Sequence, residues 1–151
     1  MLFGKKVEVN LGDNLRIIHI HEGKVVSEKT IHNIICNVGL AKVAGLVAGT
    51  ATGGFGYVAV GTGTTAAAAT DTALGTEVMR VASTNSLITT SVTNDTSQMV
   101  ATFNFTASYA ITESGVFDAS SGGNLLAHQV FSAINVVSGD AIIITWQIQF
   151  S

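Results

Sequence analysis

The ten residues Ala141-Ile-Ile-Ile-Thr-Trp-Gln-Ile-Gln-Phe150 decide the fold. Their even positions Ile142, Ile144, Trp146, Ile148 and Phe150 are apolar, while the odd positions include Thr145, Gln147 and Gln149. Successive side chains of a strand point to opposite faces, so alternation over ten residues predicts a long strand with one buried face. Residues 98–107 repeat the pattern. Met99, Ala101, Phe103 and Phe105 form one face, and Gln98, Thr102, Asn104 and Thr106 the other.

Working outward, shorter β-branched or apolar runs at 15–20, 24–30, 57–60, 78–82, 87–92, 114–117 and 125–131 are bounded by Gly, Asn, Asp and Ser and predict further strands. His21-Glu22-Gly23 predicts a hairpin turn. The period changes once: Leu40, Val43, Ala44 and Val47 fall at helical spacing. They predict a short helix over about residues 38–48, capped by Asn37, ended by Gly49 and packed through that stripe on a sheet. Residues 50–56 and 61–70 read as glycine/threonine/alanine loops. The fold class expected is mainly β, an antiparallel β-sandwich or flattened barrel with one short α-helix. Residues 13–151 form a single β-rich domain, and residues 1–12 are a candidate N-terminal arm.

Charged residues make up 11% of the chain, against the ~25% typical of soluble domains, and proline is absent. Lysine and proline are the usual devices that blunt strand edges. After Lys42 the only basic residue is Arg80, so edges there are expected to be covered or paired with another subunit. The first 42 residues carry +2 and the remainder −5, which sums to the net −3 of the chain. No basic cluster exceeds Lys5-Lys6, which argues against a nucleic-acid partner. No apolar run suits a signal peptide or a membrane span, so synthesis in a cytosol is expected.

Constellations that would carry chemistry are incomplete. His19 and His21 share one strand face, with His32 a third candidate if the hairpin folds back, but no spacing fixes a zinc ligand set. The loop Gly61-Thr-Gly-Thr-Thr65 lacks the lysine of a phosphate-binding loop. Cys36 precedes the helix without a motif that pairs it with a base, and reads as a buried structural thiol. The carboxylates Asp71, Glu77, Asp95, Glu113, Asp118 and Asp140 are scattered singly. Asp71 is expected to cap a short helical turn, and Asp118 and Asp140 to begin turns. In Thr112-Glu113-Ser114-Gly115, an acid followed by a glycine predicts a bulge or close backbone approach, with Glu113 paired to Arg80. No catalytic, cofactor-binding or metal site is expected, and no enzyme activity.

Four segments together resemble a known group. They are Tyr57-Val-Ala-Val-Gly-Thr-Gly-Thr-Thr65, Asp71-Thr-Ala-Leu-Gly-Thr-Glu-Val-Met-Arg80, Ile111-Thr-Glu-Ser-Gly-Val-Phe117 and the strand bearing Trp146, with Asn37-Val-Gly-Leu40 at the helix start. The set is similar to small virion structural proteins of tailed bacteriophages and related prophages, over about residues 33–150. The resemblance implies a non-enzymatic virion component without cofactors. The leading expectation is a capsid decoration (cementing) protein that self-associates, with a trimer among the options, and binds the major capsid protein or other virion proteins. The alternative is a tail tube, baseplate or fibre-associated structural or receptor-binding protein. Leu2, Phe3, Lys5, Lys6, Val7 and Val9 are the expected assembly contacts, since a free end is ordered only when it docks. The competing reading makes residues 7–11 an ordinary strand of their own sheet.

Overall fold

The computed structural model describes residues 10–32 and 34–151. Among them run β1 (Leu11–His21), β2 (Lys24–Ile31), β3 (Ile34–Ile35), α1 (Asn37–Ala48), β4 (Tyr57–Gly61), β5 (Glu77–Ala82), β6 (Thr84–Ile88), β7 (Thr96–Asn104), β8 (Tyr109–Phe117), β9 (Leu125–Val136) and β10 (Ala141–Phe150). The strands make two five-stranded antiparallel sheets, ordered β2-β1-β10-β7-β6 and β3-β9-β8-β4-β5. Each sheet keeps two edges, so the architecture is a sandwich and not a closed barrel. No helix of the described residues is long and apolar enough to cross a membrane.

β10 has the bounds its alternation predicts and lies at the centre of the first sheet, between β1 and β7. Ile142, Ile144, Trp146 and Ile148 are fully buried and meet Val58, Val60, Ile111 and Val116 of the second sheet in one core. β7 supplies Met99, Ala101 and Phe103 to the same core. It stops at Asn104 because Phe105 turns to the β9–β10 connection, donating its N–H to the Asp140 carbonyl and accepting from Gly139 N–H.

β8 is buried on both faces from Ile111 to Phe117. Its inner face meets the sandwich core. Its outer face lies under a second cluster that contains Cys36, Ala59, Leu74, Phe117 and Leu125. Gly115 makes that cover possible: a Cβ there would stand 2.8 Å from Leu125 Cδ1 and 2.9 Å from Leu74 Cδ2. The pairing with β9 also shifts register between Ile111 and Glu113, so the bulge and the close approach expected of this segment both occur.

Three local expectations are corrected. The strand placed at 87–92 is β6, Thr84–Ile88. The Asp95 carboxylate accepts the N–H groups of Thr90, Ser91 and Val92 at 2.8, 2.8 and 3.0 Å, and so holds that stretch in a turn. The N-cap of α1 is Cys36, one residue before Asn37, while Gly49 ends the helix in the left-handed region as expected. The helix is also rotated from its predicted stripe: Gly39 is buried and Val43 packs on the core, but Leu40 and Val47 are exposed. Gly39 sets this orientation. A Cβ there would run into the Leu126 Cα and stand 2.8 Å from the Leu125 carbonyl oxygen, so the helix backbone itself rests on β9.

Candidate functional site

α1, the end of β10 and the edge strand β6 leave an apolar groove at one end of the sandwich. Its volume is about 600 Å³, within the ~300–1,000 Å³ of ligand-sized clefts. Met99, Leu126 and Ile148 form its floor, Val43 and Phe55 its walls, and Val47, Leu87 and Phe150 its rim. The rim residues are 86%, 59% and 38% exposed. Polar ties hold the surrounding walls. Asn85 Nδ2 donates to the Phe55 carbonyl at 2.7 Å, and Lys42 Nζ to the Thr52 carbonyl at 2.6 Å, with Asp118 Oδ2 3.4 Å away. The groove was beyond sequence reasoning because six separate chain segments line it.

On the far side of the second sheet, Glu113 is fully buried beneath the chain between β4 and β5. Its carboxylate accepts the N–H groups of Gly63, Gly75 and Thr76 at 2.8, 2.9 and 2.7 Å. His128 stands between the two acids, Nε2 at 3.0 Å from Glu113 and Nδ1 at 2.7 Å from Asp71. Burial acts to raise the Glu113 pKa, but the three amide donors and His128 outweigh it and hold the carboxyl below its usual value. The glycine/threonine loop is therefore irregular in backbone and pinned in place. Arg80 does not pair with Glu113. It takes Glu77 in a two-point contact at 2.9 and 2.6 Å, donates to the carbonyls of Ala119 and Gly122, and lies 3.6 Å over the Phe117 ring.

His19 and His21 do share a face, and both meet Asp140: His19 Nε2 at 2.9 Å from Oδ2, and His21 Nδ1 at 2.6 Å from Oδ1. These contacts, His19 first and His21 next, hold the Asp140 carboxyl down at about 2. Asp140 closes the turn begun at Val137 and does not start one. His32 lies away from this pair. It follows the Leu15–Ile31 pairing at the opposite end of β1 and lines a shallow polar cleft with Gly12 and Asn14. Asp71 caps no helical turn: it accepts the Ala68 N–H and closes the turn that precedes it. Burial, with Asp71 nearby, pushes the Cys36 thiol up to about 11, the reverse of the lowered pKa that a nucleophilic thiolate needs. No group of three or more His, Cys, Asp or Glu side chains is placed to hold a metal among the described residues. The predicted contacts Leu2, Phe3, Lys5, Lys6, Val7 and Val9 lie outside the described residues. At the boundary, Leu11 and Gly12 belong to β1, opposite Phe150 and Gln149.

The architecture is that of a β-sandwich module with an apolar groove open at one end and its buried acids tied up in backbone contacts. Residues 30–148 match the family model of the podophage GP4 fiber I protein gp80, and the chain belongs to that family. It is a bacteriophage virion structural protein. The family is one of fibre proteins, which moves the expectation from head decoration to the fibre-associated alternative. No match is found among curated proteins or solved structures.

Proposed function

We propose that this chain is a non-enzymatic structural module of a podophage tail fibre, made in the host cytoplasm and built into the virion by association with copies of itself and with neighbouring virion proteins. The observation that carries the fibre assignment is the family match over residues 30–148. The groove supports the association: exposed apolar side chains clustered around a cleft are the usual mark of an interaction site. The low charge supports it too, since little like-charge repulsion separates copies. The non-enzymatic reading rests on the use of Glu113, Asp71 and Asp140 as acceptors of backbone N–H groups, with His128 bridging Glu113 and Asp71. The test is electron microscopy of the parent particle with this protein antibody-labelled. Label on the tail fibres is the expected result, and label over the head shell would return the capsid-decoration reading to first place.

A further inference from the structure

The groove needs an occupant, and the chain leads toward one. Asn10 exchanges two backbone hydrogen bonds with Ser151, one residue beyond the rim residue Phe150. β1 thus enters the sandwich beside the mouth of the groove, at the point where its partner β10 ends. The nine preceding residues read Met-Leu-Phe-Gly-Lys-Lys-Val-Glu-Val. Val7 and Val9 continue the alternation that reaches Leu11, and no Gly, Pro, Asn or Asp between Gly4 and Asn10 encodes a reversal. Drawn out, nine residues reach about 30 Å. Sequence of this kind favours an extended segment, long enough to reach a neighbouring copy.

We propose that the groove receives residues 1–9 of a second copy, with Leu2 and Phe3 as the apolar anchors among Val47, Leu87 and Phe150. Lys5 and Lys6 then meet a body whose residues 43–151 carry a net −5, which favours approach of the two chains, while the groove itself is lined without an acidic side chain and the apolar anchors carry the contact. The inference rests on the self-association proposed above and specifies its contact.

The test mixes two full-length single variants, Phe3→Cys and Leu87→Cys, under mild oxidation, with each variant alone as control. Cys36 stays in place, since it is fully buried. The expected product is a disulfide-linked pair joining position 3 of one chain to position 87 of the other, found by mass spectrometry in the mixture. In parallel, Leu87→Asp and Val47→Asp, both at exposed positions, are expected to weaken self-association by tenfold or more in sedimentation while circular dichroism stays unchanged. Absence of the mixed pair overturns the proposal, as does an intrachain link as the main product of the Phe3→Cys/Leu87→Cys double variant. Wild-type sedimentation separates the two failures. Association without the mixed pair sinks this contact alone, whereas a monomer at every concentration sinks the self-association reading and this contact with it.

Discussion

Trp146 and Ser114 join the two sheets across the core. The Trp146 indole N–H donates to the Ser114 hydroxyl at 3.1 Å, and that hydroxyl donates onward to the Ala59 carbonyl at 2.9 Å. All of this happens where water does not reach, since Trp146 and Ser114 are fully buried. Trp146→Ala is expected to cost ~3–5 kcal/mol in denaturant unfolding, because the cavity adds to the lost transfer energy. Ser114→Ala removes few atoms yet strands the buried Trp146 N–H donor, and is expected to cost ~1–3 kcal/mol. Gln147 points the other way and bonds Gln98 at 2.8 Å on the outer face, so Gln147→Ala is expected to cost about 1 kcal/mol or less. Equal losses at 146 and 147 would contradict the burial pattern.

Glu113→Gln is nearly isosteric but replaces one carboxylate oxygen with an amide NH2, a donor facing donors. At least one of the Gly63, Gly75 and Thr76 N–H groups then loses its acceptor, and a loss of ~2 kcal/mol or more is expected. Hydrogen exchange should quicken first at those three amides. The same site fixes a pH dependence. The folded pKa of Glu113 is lowered, so the unfolded chain binds its proton more readily. Its contribution is present above the unfolded value near 4.5 and is lost as pH falls through the folded value. Urea unfolding between pH 6 and pH 3 should show a smaller acid-induced loss in Glu113→Gln than in wild type.

His21 works in the opposite sense. Its hydrogen bond to Asp140, then the charge of that carboxylate, raise the His21 pKa. Its contribution is complete below the unfolded value of about 6.5 and fades as pH rises through the raised value. Wild type is therefore expected to lose stability from pH 6 to pH 9 in part through this pair, and His21→Gln to flatten that part of the profile. An unchanged slope in the variant would show that His21 does not report on Asp140.

Gly39→Ala sets two effects against each other. Alanine is favoured over glycine in a helix by about 1 kcal/mol. The added methyl, however, meets the Leu126 Cα and the Leu125 carbonyl, which are backbone and cannot swing aside. Overpacking of ~1–3 kcal/mol is expected to win, lowering the unfolding midpoint. Gly54→Ala, which meets nothing within 4 Å, serves as the control and should be neutral or slightly stabilising.

What could be read beforehand follows from which faces are buried. β10 and β7 each have one buried and one partly wet face, so their alternation was visible at Trp146 and Phe103. β8 is enclosed on both sides, and its polar members Thr112, Glu113 and Ser114 hid a strand that begins as early as Tyr109. Glu113 announced a bulge but not its partners, because those partners are amides 37 to 50 residues earlier. A side chain can be matched to another by charge; a backbone N–H carries no residue identity and leaves no trace in sequence. The same holds for the groove, whose rim at Leu87 and Phe150 exists only after β6 and β10 enter one sheet.

The place of β10 in the middle of its sheet governs how the chain must be made. β1 pairs with residues more than a hundred positions later, so it leaves the ribosome long before its central partner exists. Until then β1 and β2 are a two-stranded hairpin, which is marginal in water, and the apolar face of β7 has no neighbour on one side. Pairings this distant are slow to form, and the waiting intermediates expose sticky strands. Yield of folded protein is then set by a race between completion of one chain and collision of two, so slow synthesis at low temperature and low chain concentration should favour native material over aggregate.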